Sequence, residues 1–377
     1  MSRSVVTGYG AVSPFGAGVE AFWAGIARPE ASGSAWSPDD SGPPFFAAPV
    51  PAEYRPNPAI PRNLAHFLDR GSLIALDAAL QAVDAAGLSA GAADSRRLAI
   101  IDGLPYRAPG QPVTFVPYAH LAARALGIRG PVHAIAGAEA SGALAIAAAT
   151  RMIASGQADV VIAGAGQGLQ RPLLEHLQSQ GASGAPARPF DAAHHGFVPA
   201  EAAAFLVIES EAHAAGRGAR PIAAIAGTGE TFDPAAEPLN MAGPTETGRA
   251  MQAALTSAGY IQNQVDLFIA SADGRPAVDF AEGYGAMRTF GRHAHFAGVT
   301  TIAGSTGHAL AASGPLSIVA ALESIRRQEV FPIAGFETPE EDLDLAFVKS
   351  PRPERVDCVM VSSMGLGGVS VAMLLTR

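Results

Sequence analysis

The stretch Pro131-Val132-His133-Ala134-Ile135-Ala136-Gly137-Ala138-Glu139-Ala140-Ser141-Gly142-Ala143 runs from a short apolar strand through a turn of small residues into an alanine-rich helix. This geometry presents one side chain at the N-terminus of the helix, where the helix dipole lowers the pKa of a thiol and activates it. The side chain expected to be exposed at that point is Glu139. The stretch therefore predicts a nucleophile position that carries a carboxylate.

Outward from this stretch, apolar and β-branched runs bounded by Gly or Pro predict strands, and longer alanine-rich or amphipathic runs predict helices. The predicted strands span residues 4–7, 98–101, 132–136, 159–163, 203–208, 222–226, 267–270, 358–361 and 369–375. The predicted helices span residues 18–26, 71–86, 118–126, 140–154, 245–258, 278–290 and 310–327. Alternation of this kind favours an α/β fold whose sheet is covered on both faces.

Two halves of the chain echo each other. The run 158–164 resembles the run 265–271. In addition, Gly196-Phe197-Val198 precedes a strand that ends at Ile208, and residues 365–368 precede a similar strand that ends at Leu375. The echo predicts a duplication, with an N-terminal half over residues 1–215 and a C-terminal half over residues 216–377, joined near residues 209–221. Proline-rich residues 28–64 and 332–353 are expected to form long surface loops.

Composition narrows the class of protein. The chain has 377 residues, of which 49% are hydrophobic and 16% charged, so more surface is expected to be buried than a monomer hides, which predicts an oligomer. The net charge of −9 and the absence of a basic run argue against nucleic acid and against an anionic membrane surface, although a small acidic carrier protein could dock on a local arginine patch. No apolar run is long enough to span a membrane and no signal peptide is evident, so a cytoplasmic location is expected.

Residue counts also exclude several chemistries. The single cysteine, Cys358, lies in an apolar run and predicts a buried core thiol, with no disulfide framework and no cysteine-based zinc site. The single lysine, Lys349, makes Schiff-base chemistry and a phosphate-binding P-loop improbable. The run Gly164-Ala165-Gly166-Gln167-Gly168 has the wrong spacing for a dinucleotide fingerprint and predicts a tight turn. We therefore expect no cofactor and no metal.

Several segments, in this order along the chain, match one known family. They are residues 5–16 with the following Phe22-Trp23, Arg188-Pro189-Phe190-Asp191, residues 196–201, Thr306-Gly307-His308 and Gly365-Leu366-Gly367-Gly368. Over nearly its whole length the chain resembles the β-ketoacyl synthases of fatty acid and polyketide assembly, in the thiolase-like superfamily. That resemblance implies duplicated α/β halves that form a five-layered αβαβα architecture.

The family condenses acyl chains with a cysteine nucleophile, two histidines and a lysine. The resemblance places Glu139 at the cysteine, Asp273 at the first histidine and Ala303 at the lysine, while His308 keeps the second histidine. A glutamate is a poor acyl acceptor, and an ionised Asp273 would repel the enolate that decarboxylation leaves. The resemblance therefore implies a degenerate site with no catalytic residue. A later acidic pair of the family survives as Asp279 and Glu282.

Losses of this kind are typical of the chain length factor, or ketosynthase-beta subunit, of type II polyketide synthases. The resemblance implies a heterodimer with an active ketosynthase alpha subunit, an acyl carrier protein as a further partner, and a product tunnel at the interface, in an acyltransferase-type complex. That branch usually carries glutamine at the nucleophile position, from which Glu139 departs. The product remains open between aromatic poly-β-ketones and reduced polyenes. Candidate residues that line the tunnel, or else pack as ordinary core, are Leu104, Tyr106, Phe115, Tyr118 and Leu366.

Other interpretations stay open at this point. If the fold brings Glu139, Asp273 and His308 together, two carboxylates beside an imidazole could form an independent hydrolase or dehydratase. Glu139 could instead fill the vacated pocket, neutralised by a protonated His308, an arginine or the helix dipole. A third possibility is a scaffold that recruits acyl carrier protein without shaping the product.

Overall fold

A computed structural model describes residues 3–39, 41–88, 93–110, 118–237 and 239–377. The strands are β1 Ser4–Ser13, β2 Gly16–Ala17, β3 Ser34–Trp36, β4 Phe45–Ala47, β5 Leu98–Gly103, β6 Val132–Ile135, β7 Val160–Gln167, β8 Ala202–Ser210, β9 Ala223–Phe232, β10 Leu267–Ile269, β11 Gly298–Thr300, β12 Glu329–Val330, β13 Ala346–Phe347, β14 Arg352–Pro353, β15 Cys358–Gly365 and β16 Val369–Thr376. The α-helices are α1 Val19–Ile26, α2 Arg62–Ala65, α3 Arg70–Ala85, α4 Tyr118–Leu126, α5 Ser141–Ala154, α6 Arg171–Ser179, α7 Glu211–Gly216, α8 Pro244–Ala258, α9 Pro276–Phe290, α10 Ala303–Thr306 and α11 Ser313–Arg327. Short 3₁₀ turns are Ala138–Ala140, Gln262–Gln264, Gly291–His295 and Leu310–Ala312.

The strand order reveals the duplication. The main sheet runs β13-β11-β10-β15-β16-β9-β1-β8-β7-β5-β6, and β1 joins β9 through an antiparallel pairing of Ser4 to Val6 with Ala223 to Ile225. Outward from this joint each half has the same pattern. One antiparallel strand, β8 or β16, is followed by three mutually parallel strands, β7, β5 and β6 or β15, β10 and β11. The predicted duplicated α/β architecture is confirmed.

This topology corrects one of the two sequence echoes. The strands β8 and β16 occupy equivalent positions, as the second echo predicts. The first echo, between residues 158–164 and 265–271, is wrong, because β7 is equivalent to β15 and β10 is equivalent to β5. Apolar strands that are buried on both faces have similar compositions whatever their place in the sheet, so composition alone matched the wrong pair.

The helices complete five layers. Helices α5 and α11 pack against each other between the two half-sheets, α3 and α4 cover the outer face of the N-terminal half-sheet, and α8 and α9 cover the outer face of the other. A central hydrophobic cluster includes Ile146 and Leu316, while separate outer clusters form around α3 and around α8. Cys358 belongs to the cluster around α8, and its burial raises the pKa of the thiol to about 12, as befits a core residue.

One predicted turn is a strand instead. Gly164 to Gln167 continue β7, contrary to the turn predicted for the run 164–168. A Cβ on Gly164 would overlap the carbonyl oxygen of Ala204 in β8, and one on Gly166 would overlap Ala75 in α3. The glycines therefore serve close packing within a strand rather than a change of chain direction.

Two helix N-termini meet at the centre of the molecule. The turn Ala138–Ala140 leads into α5 and the turn Leu310–Ala312 leads into α11, and each begins with a residue in the left-handed region, Ala138 at φ 51° and Leu310 at φ 48°. The start of α5 and the turn before α11 approach so closely at Gly142 that a Cβ there would overlap the carbonyl oxygen of Ala311. Strained residues at matching places in both halves mark this junction as a candidate functional site. Across the part of the chain that the structure describes, no helix has the length and apolar character needed to cross a membrane.

Candidate functional site

Glu139 lies at this junction. The sequence predicts an exposed side chain here, but the structure shows a buried one. Its side chain is 2% exposed because the turn between β15 and β16 closes over it, with Gly365 packed against the backbone of Gly137. Oε2 of Glu139 accepts a hydrogen bond from the backbone N–H of Leu366 at 2.8 Å. The carboxylate thus occupies an amide donor of the turn between β15 and β16.

Arg275 supplies the counter-charge to two buried carboxylates. Its guanidinium Nη2 lies 2.7 Å from Oδ2 of Asp273 and 3.6 Å from Oε1 of Glu139. The backbone N–H of Arg275 also donates to Asp273 at 3.0 Å, and the guanidinium stacks over the ring of Phe197 with 4.6 Å from Cζ to the centroid. Of the three neutralising groups considered for Glu139, the structure provides an arginine.

The predictions made from the sequence gave Arg275 no role. The available signal was an arginine two residues after an aspartate, at a point where the resembled family has neither, in a chain whose nucleophile position is acidic. A buried acidic pair requires a cation nearby, so that pattern could have pointed to Arg275.

His308 is buried beside the ion pair. Its ring is 3% exposed, with Nδ1 3.0 Å from Oγ of Ser313 and Nε2 3.7 Å from Oδ2 of Asp273. Among the described residues Nε2 has no hydrogen-bond partner. Burial lowers the pKa of His308 to about 4, against the opposing pull of Asp273, so the imidazole is neutral at pH 7. A protonated His308 is therefore not what balances Glu139.

The two carboxylates differ in their affinity for protons. Burial raises the pKa of Glu139, and the Arg275 guanidinium only partly offsets that rise. Burial also acts to raise the pKa of Asp273, but Arg275 and His308 outweigh it and hold that pKa below its ordinary value. Asp273 is therefore the ionised partner of Arg275, and Glu139 is the carboxyl that takes up a proton more readily.

Asp279 and Glu282, on α9, anchor the loop that carries Asp273. Asp279 accepts from the backbone N–H groups of Asp273 and Gly274 at 3.0 Å each and lies 3.1 Å from Nδ1 of His194. Glu282 accepts from the hydroxyl of Ser362 and from the backbone N–H of Ser271. Burial raises the pKa of Glu282 to about 7. These two acids position the loop over residues 271–274 by accepting hydrogen bonds from its backbone N–H groups.

Three other predicted site residues contribute no side-chain chemistry to the site. Ala303 is buried at the start of α10, with no side-chain group for acid–base chemistry. Leu366 contributes its backbone N–H to Glu139, and the backbone N–H of Leu104 bonds to the carbonyl of Ile135 beyond the end of β5.

The predicted tunnel residues are only partly grouped around Glu139. Burial and then the Glu139 charge raise the pKa of the Tyr106 phenol, whose hydroxyl is 3.1 Å from Nε2 of His176. Tyr118 lies on α4, its ring against Phe205 with centroids 5.7 Å apart. Phe115 lies outside the described residues.

Within the described ranges, no group of three or more His, Cys, Asp or Glu side chains is arranged to hold a metal ion. The acids of the site are engaged by Arg275, by His194 and by backbone N–H groups.

Comparison with known families and proteins gives a consistent picture. The family described as "Beta-ketoacyl synthase, N-terminal domain" matches residues 1–214, and "Beta-ketoacyl synthase, C-terminal domain" matches residues 222–337. The protein named "Putative polyketide beta-ketoacyl synthase 1" of Streptomyces cyaneus is 31% identical over 418 residues, covering 99% of this chain and 98% of the relative. The 3-oxoacyl-(acyl-carrier-protein) synthase 2 of Coxiella burnetii is 30% identical, covering 100% of this chain and 98% of the relative.

Solved structures share the fold at lower identity. A β-ketoacyl synthase from Burkholderia phymatum has a TM-score of 0.91 at 24% identity and covers 100% of both chains. "The ishigamide ketosynthase/chain length factor" has a TM-score of 0.89 at 24% identity, with 100% of this chain and 99% of that chain covered. The complex AntDE:AntF, a type II polyketide synthase acyl-carrier protein with its ketosynthase, has a TM-score of 0.85 at 23% identity over 100% and 99% of the two chains. The five-layered thiolase-like architecture is thus the fold of this chain.

Proposed function

The chain belongs to the β-ketoacyl synthase family, and from that premise we propose that it is a catalytically deficient, ketosynthase-like subunit of a type II polyketide synthase. It pairs as a chain length factor with an active ketosynthase alpha subunit, works with an acyl carrier protein, and shapes the elongation tunnel that sets chain length.

The observation that carries this proposal is the placement of the Glu139 carboxylate. Acyl transfer requires a nucleophile that attacks a thioester and N–H donors that are free to stabilise the resulting oxyanion. Here the Glu139 oxygen itself accepts the N–H of Leu366, so both requirements fail at one residue. A glutamyl anhydride, if formed, would be far more labile than a thioester.

Decarboxylation is disfavoured at the neighbouring position. The family uses a histidine where this chain has Asp273, and Arg275 keeps that aspartate ionised. A negative charge there opposes the enolate that loss of carbon dioxide would create. Nε2 of His308 has no hydrogen-bond partner among the residues that the structure describes.

An open sheet edge supports the pairing with a second subunit. Strand β6 ends the sheet, and its residues His133 and Ala134 are exposed. Since β6 bonds to β5 through alternate residues, the amides of Val132 and Ala134 face away from the sheet. Exposed edges of this kind are templates for pairing with another chain.

Co-expression with a ketosynthase alpha subunit tests the proposal. We expect a heterodimer by size-exclusion chromatography with light scattering. After incubation with acyl carrier protein thioesters, intact-mass spectrometry is expected to show an acyl adduct on the alpha subunit and none on this chain. A covalent acyl adduct on this chain, or condensation by this chain alone, would refute the proposal.

A second candidate function rests on His308. Its unpartnered Nε2 beside Asp273, with Glu139 across Arg275, places an imidazole and two carboxylates in one buried cluster. An independent hydrolase or dehydratase would show activity in partner-free protein that Glu139→Gln or Asp273→Asn abolishes. Retention of any such activity in both variants eliminates this candidate.

A further inference from the structure

Residues 337–340 form a short strap across the segment 188–196. The backbone N–H groups of Glu337 and Thr338 donate to Oδ2 of Asp191 at 2.7 Å and 2.8 Å. The first three residues of the strap are exposed to solvent. The strap is thus a surface element that hydrogen bonds tie to the segment beneath it.

The segment 188–196 in turn covers the loop 271–275 of the candidate functional site. The backbone N–H of Gly196 donates to the carbonyl of Gly274 at 2.8 Å. The two segments approach so closely that a Cβ on Gly274 would overlap the carbonyl oxygen of Gly196. Strap, segment and site loop therefore lie one over another, in contact.

His194 connects the strap to the acid that anchors the site loop. Its ring is 11% exposed, with Nδ1 3.1 Å from Oδ2 of Asp279 and Nε2 3.1 Å from Oε2 of Glu340. Asp279 is the acid on α9 that accepts the backbone N–H groups of Asp273 and Gly274, and Glu340 is the last residue of the strap. One imidazole thus joins loop and strap through a carboxylate at each ring nitrogen.

This arrangement calls for a protonated ring. A neutral imidazole has a single N–H and can donate to only one of two acceptors. Both partners of His194 are acceptors, since Asp279 also accepts three backbone N–H groups and Glu340 presents a partly exposed carboxylate. The ring is therefore an imidazolium when both contacts are made.

The charges around the ring favour the imidazolium. The hydrogen bond to Asp279 raises the pKa of His194 above its ordinary value of 6.5, against the opposing effect of burial. Burial raises the pKa of Asp279, and its hydrogen bonds with His194 and with backbone N–H groups oppose that rise. The charged groups around the ring are Asp279 from α9, Glu340 from the strap and Asp191 from its own segment, with Arg188 bound to Asp191 and to Glu337.

A histidine whose pKa is raised by folding has a defined effect on stability. Its contribution is complete below the unfolded pKa of about 6.5, and it is lost as the pH rises through the folded pKa. For His194 the loss therefore falls on the alkaline side of 6.5.

We propose that His194 is a pH-sensitive switch that, when protonated, holds the strap to Asp279 and so to the loop that carries Asp273 and Arg275. When the ring loses its proton, one of its two carboxylate contacts is lost. Glu340 is the partner that solvent reaches, being 31% exposed where Asp279 is fully buried, so the strap is the element released. The switch does not depend on the proposed function, because it concerns only the closure of the strap over the loop.

Hydrogen–deuterium exchange of the purified full-length chain tests the switch. The reporters are the strap amides of Glu337, Thr338 and Glu340, which donate to the segment 188–196. Exchange is measured at pH 6 and at pH 9 and corrected for the intrinsic pH dependence of amide exchange. We expect protection of these amides to fall by about tenfold from pH 6 to pH 9, the effect of losing one charge-assisted hydrogen bond.

The protonation state of the ring is measured directly. Nitrogen-15 NMR of the native chain at pH 7, with the His194 signals assigned by their loss in His194→Gln, is expected to show both ring nitrogens protonated. This measurement does not require any variant to reproduce the native packing around the strap.

Matched variants identify His194 as the switch. His194→Arg carries a permanent charge and is expected to keep the strap protected at both pH values, whereas the neutral His194→Gln is expected to lower protection at both. His195→Gln changes the exposed neighbouring histidine and should keep the native pH dependence. All three variants retain Glu282, which accepts from the same site loop and titrates near pH 7.

Three outcomes would overturn the inference. They are equal protection of the native strap at pH 6 and pH 9, a His194 ring with one protonated nitrogen at pH 7, and a native pH dependence that persists in His194→Arg. The last of these would assign the dependence to Glu282 instead. Pairing with a ketosynthase and acyl adducts are measured separately, so the failure of either proposal leaves the other readable.

Discussion

At the scale of single residues, Arg275 shows how two buried carboxylates are balanced by one cation. The chain places Glu139 and Asp273 in the interior, and two uncompensated charges there would each cost several kcal/mol. One guanidinium contacts both, and its position over the ring of Phe197 adds a cation–π contact. Glu139, Asp273 and Arg275 thus form one connected network of charges.

Removal of Arg275 tests this network. Arg275→Ala leaves the two carboxylates buried without their cation, so the free energy of unfolding is expected to fall by about 3–5 kcal/mol, as is typical when one partner of a buried ion pair is lost. Urea unfolding followed by circular dichroism measures the change. Arg249→Ala, which removes an arginine that is 70% exposed and paired with Glu246, is the matched control and should cost less than about 1 kcal/mol. A loss of that small size for Arg275→Ala would contradict the network.

Glu282 makes stability depend on pH. Its pKa in the folded protein is raised to about 7, so folding takes up a proton and the stabilisation is complete below the unfolded pKa of about 4.5 and is lost as pH rises through about 7. Glu282→Gln removes this titration while it keeps an acceptor for Ser362 and Ser271.

The free energy of unfolding of Glu282→Gln is compared with that of the native chain at pH 5 and at pH 8. We expect this difference to shift in favour of the variant by roughly 3 kcal/mol as the pH rises from 5 to 8, given a pKa shift of this size. Urea titrations at both pH values give the difference. Glu211→Gln, on a side chain that is 53% exposed, is the control and should show little change between them. A Glu282→Gln difference that is the same at both pH values would show that Glu282 does not titrate in this range.

At the scale of elements, β6 has two roles. It leads into the turn that carries Glu139, and it forms one edge of the sheet. Ala134→Pro removes one outward N–H and leaves the bonds of β6 to β5 intact, since proline is tolerated on edge strands. We expect this variant to lose pairing with a ketosynthase in a co-purification assay while its melting temperature changes little.

Ala134→Ser changes the same exposed position and keeps the amide, so it serves as the matched control. It is expected to pair normally. Normal pairing by Ala134→Pro as well would place the subunit interface elsewhere.

At the scale of the whole molecule, Tyr106 lines a cavity together with Asp102 and Tyr118, and the Glu139 charge helps to raise the pKa of its phenol. Tyr106→Ala would enlarge this cavity. In a reconstituted heterodimer with acyl carrier protein, we expect products at least one extension unit longer by liquid chromatography and mass spectrometry.

Phe296→Ala, at a residue that is 75% exposed in the C-terminal half, is the control for Tyr106→Ala and should leave product length unchanged. Unchanged length in Tyr106→Ala would favour a scaffold that recruits carrier protein without shaping the product.

Much of the architecture was predictable because buried strands and helices carry strong local patterns. Helix α4 has the predicted bounds, and the other six predicted helices agree with α1, α3, α5, α8, α9 and α11 to within three residues at each end. The shorter helices α2, α6, α7 and α10 were not predicted. The prediction ended strand β7 at residue 163 because the glycines that follow were interpreted as turn residues. In the structure they are extended and pack closely against neighbouring segments. Close approach between segments that are distant in sequence leaves no local signal.

The sequence by itself determined which groups these positions can supply: a residue's identity fixes whether it can supply a thiolate, an imidazole or an ammonium, and Glu139, Asp273 and Ala303 supply none of them. Only the tertiary structure decided what surrounds them. The N–H of Leu366 reaches Glu139 across 227 positions of the chain, and Arg275 lies between two carboxylates that sequence separates widely. Burial and proximity set the charge of each group, and both arise from the packing of the two halves against each other.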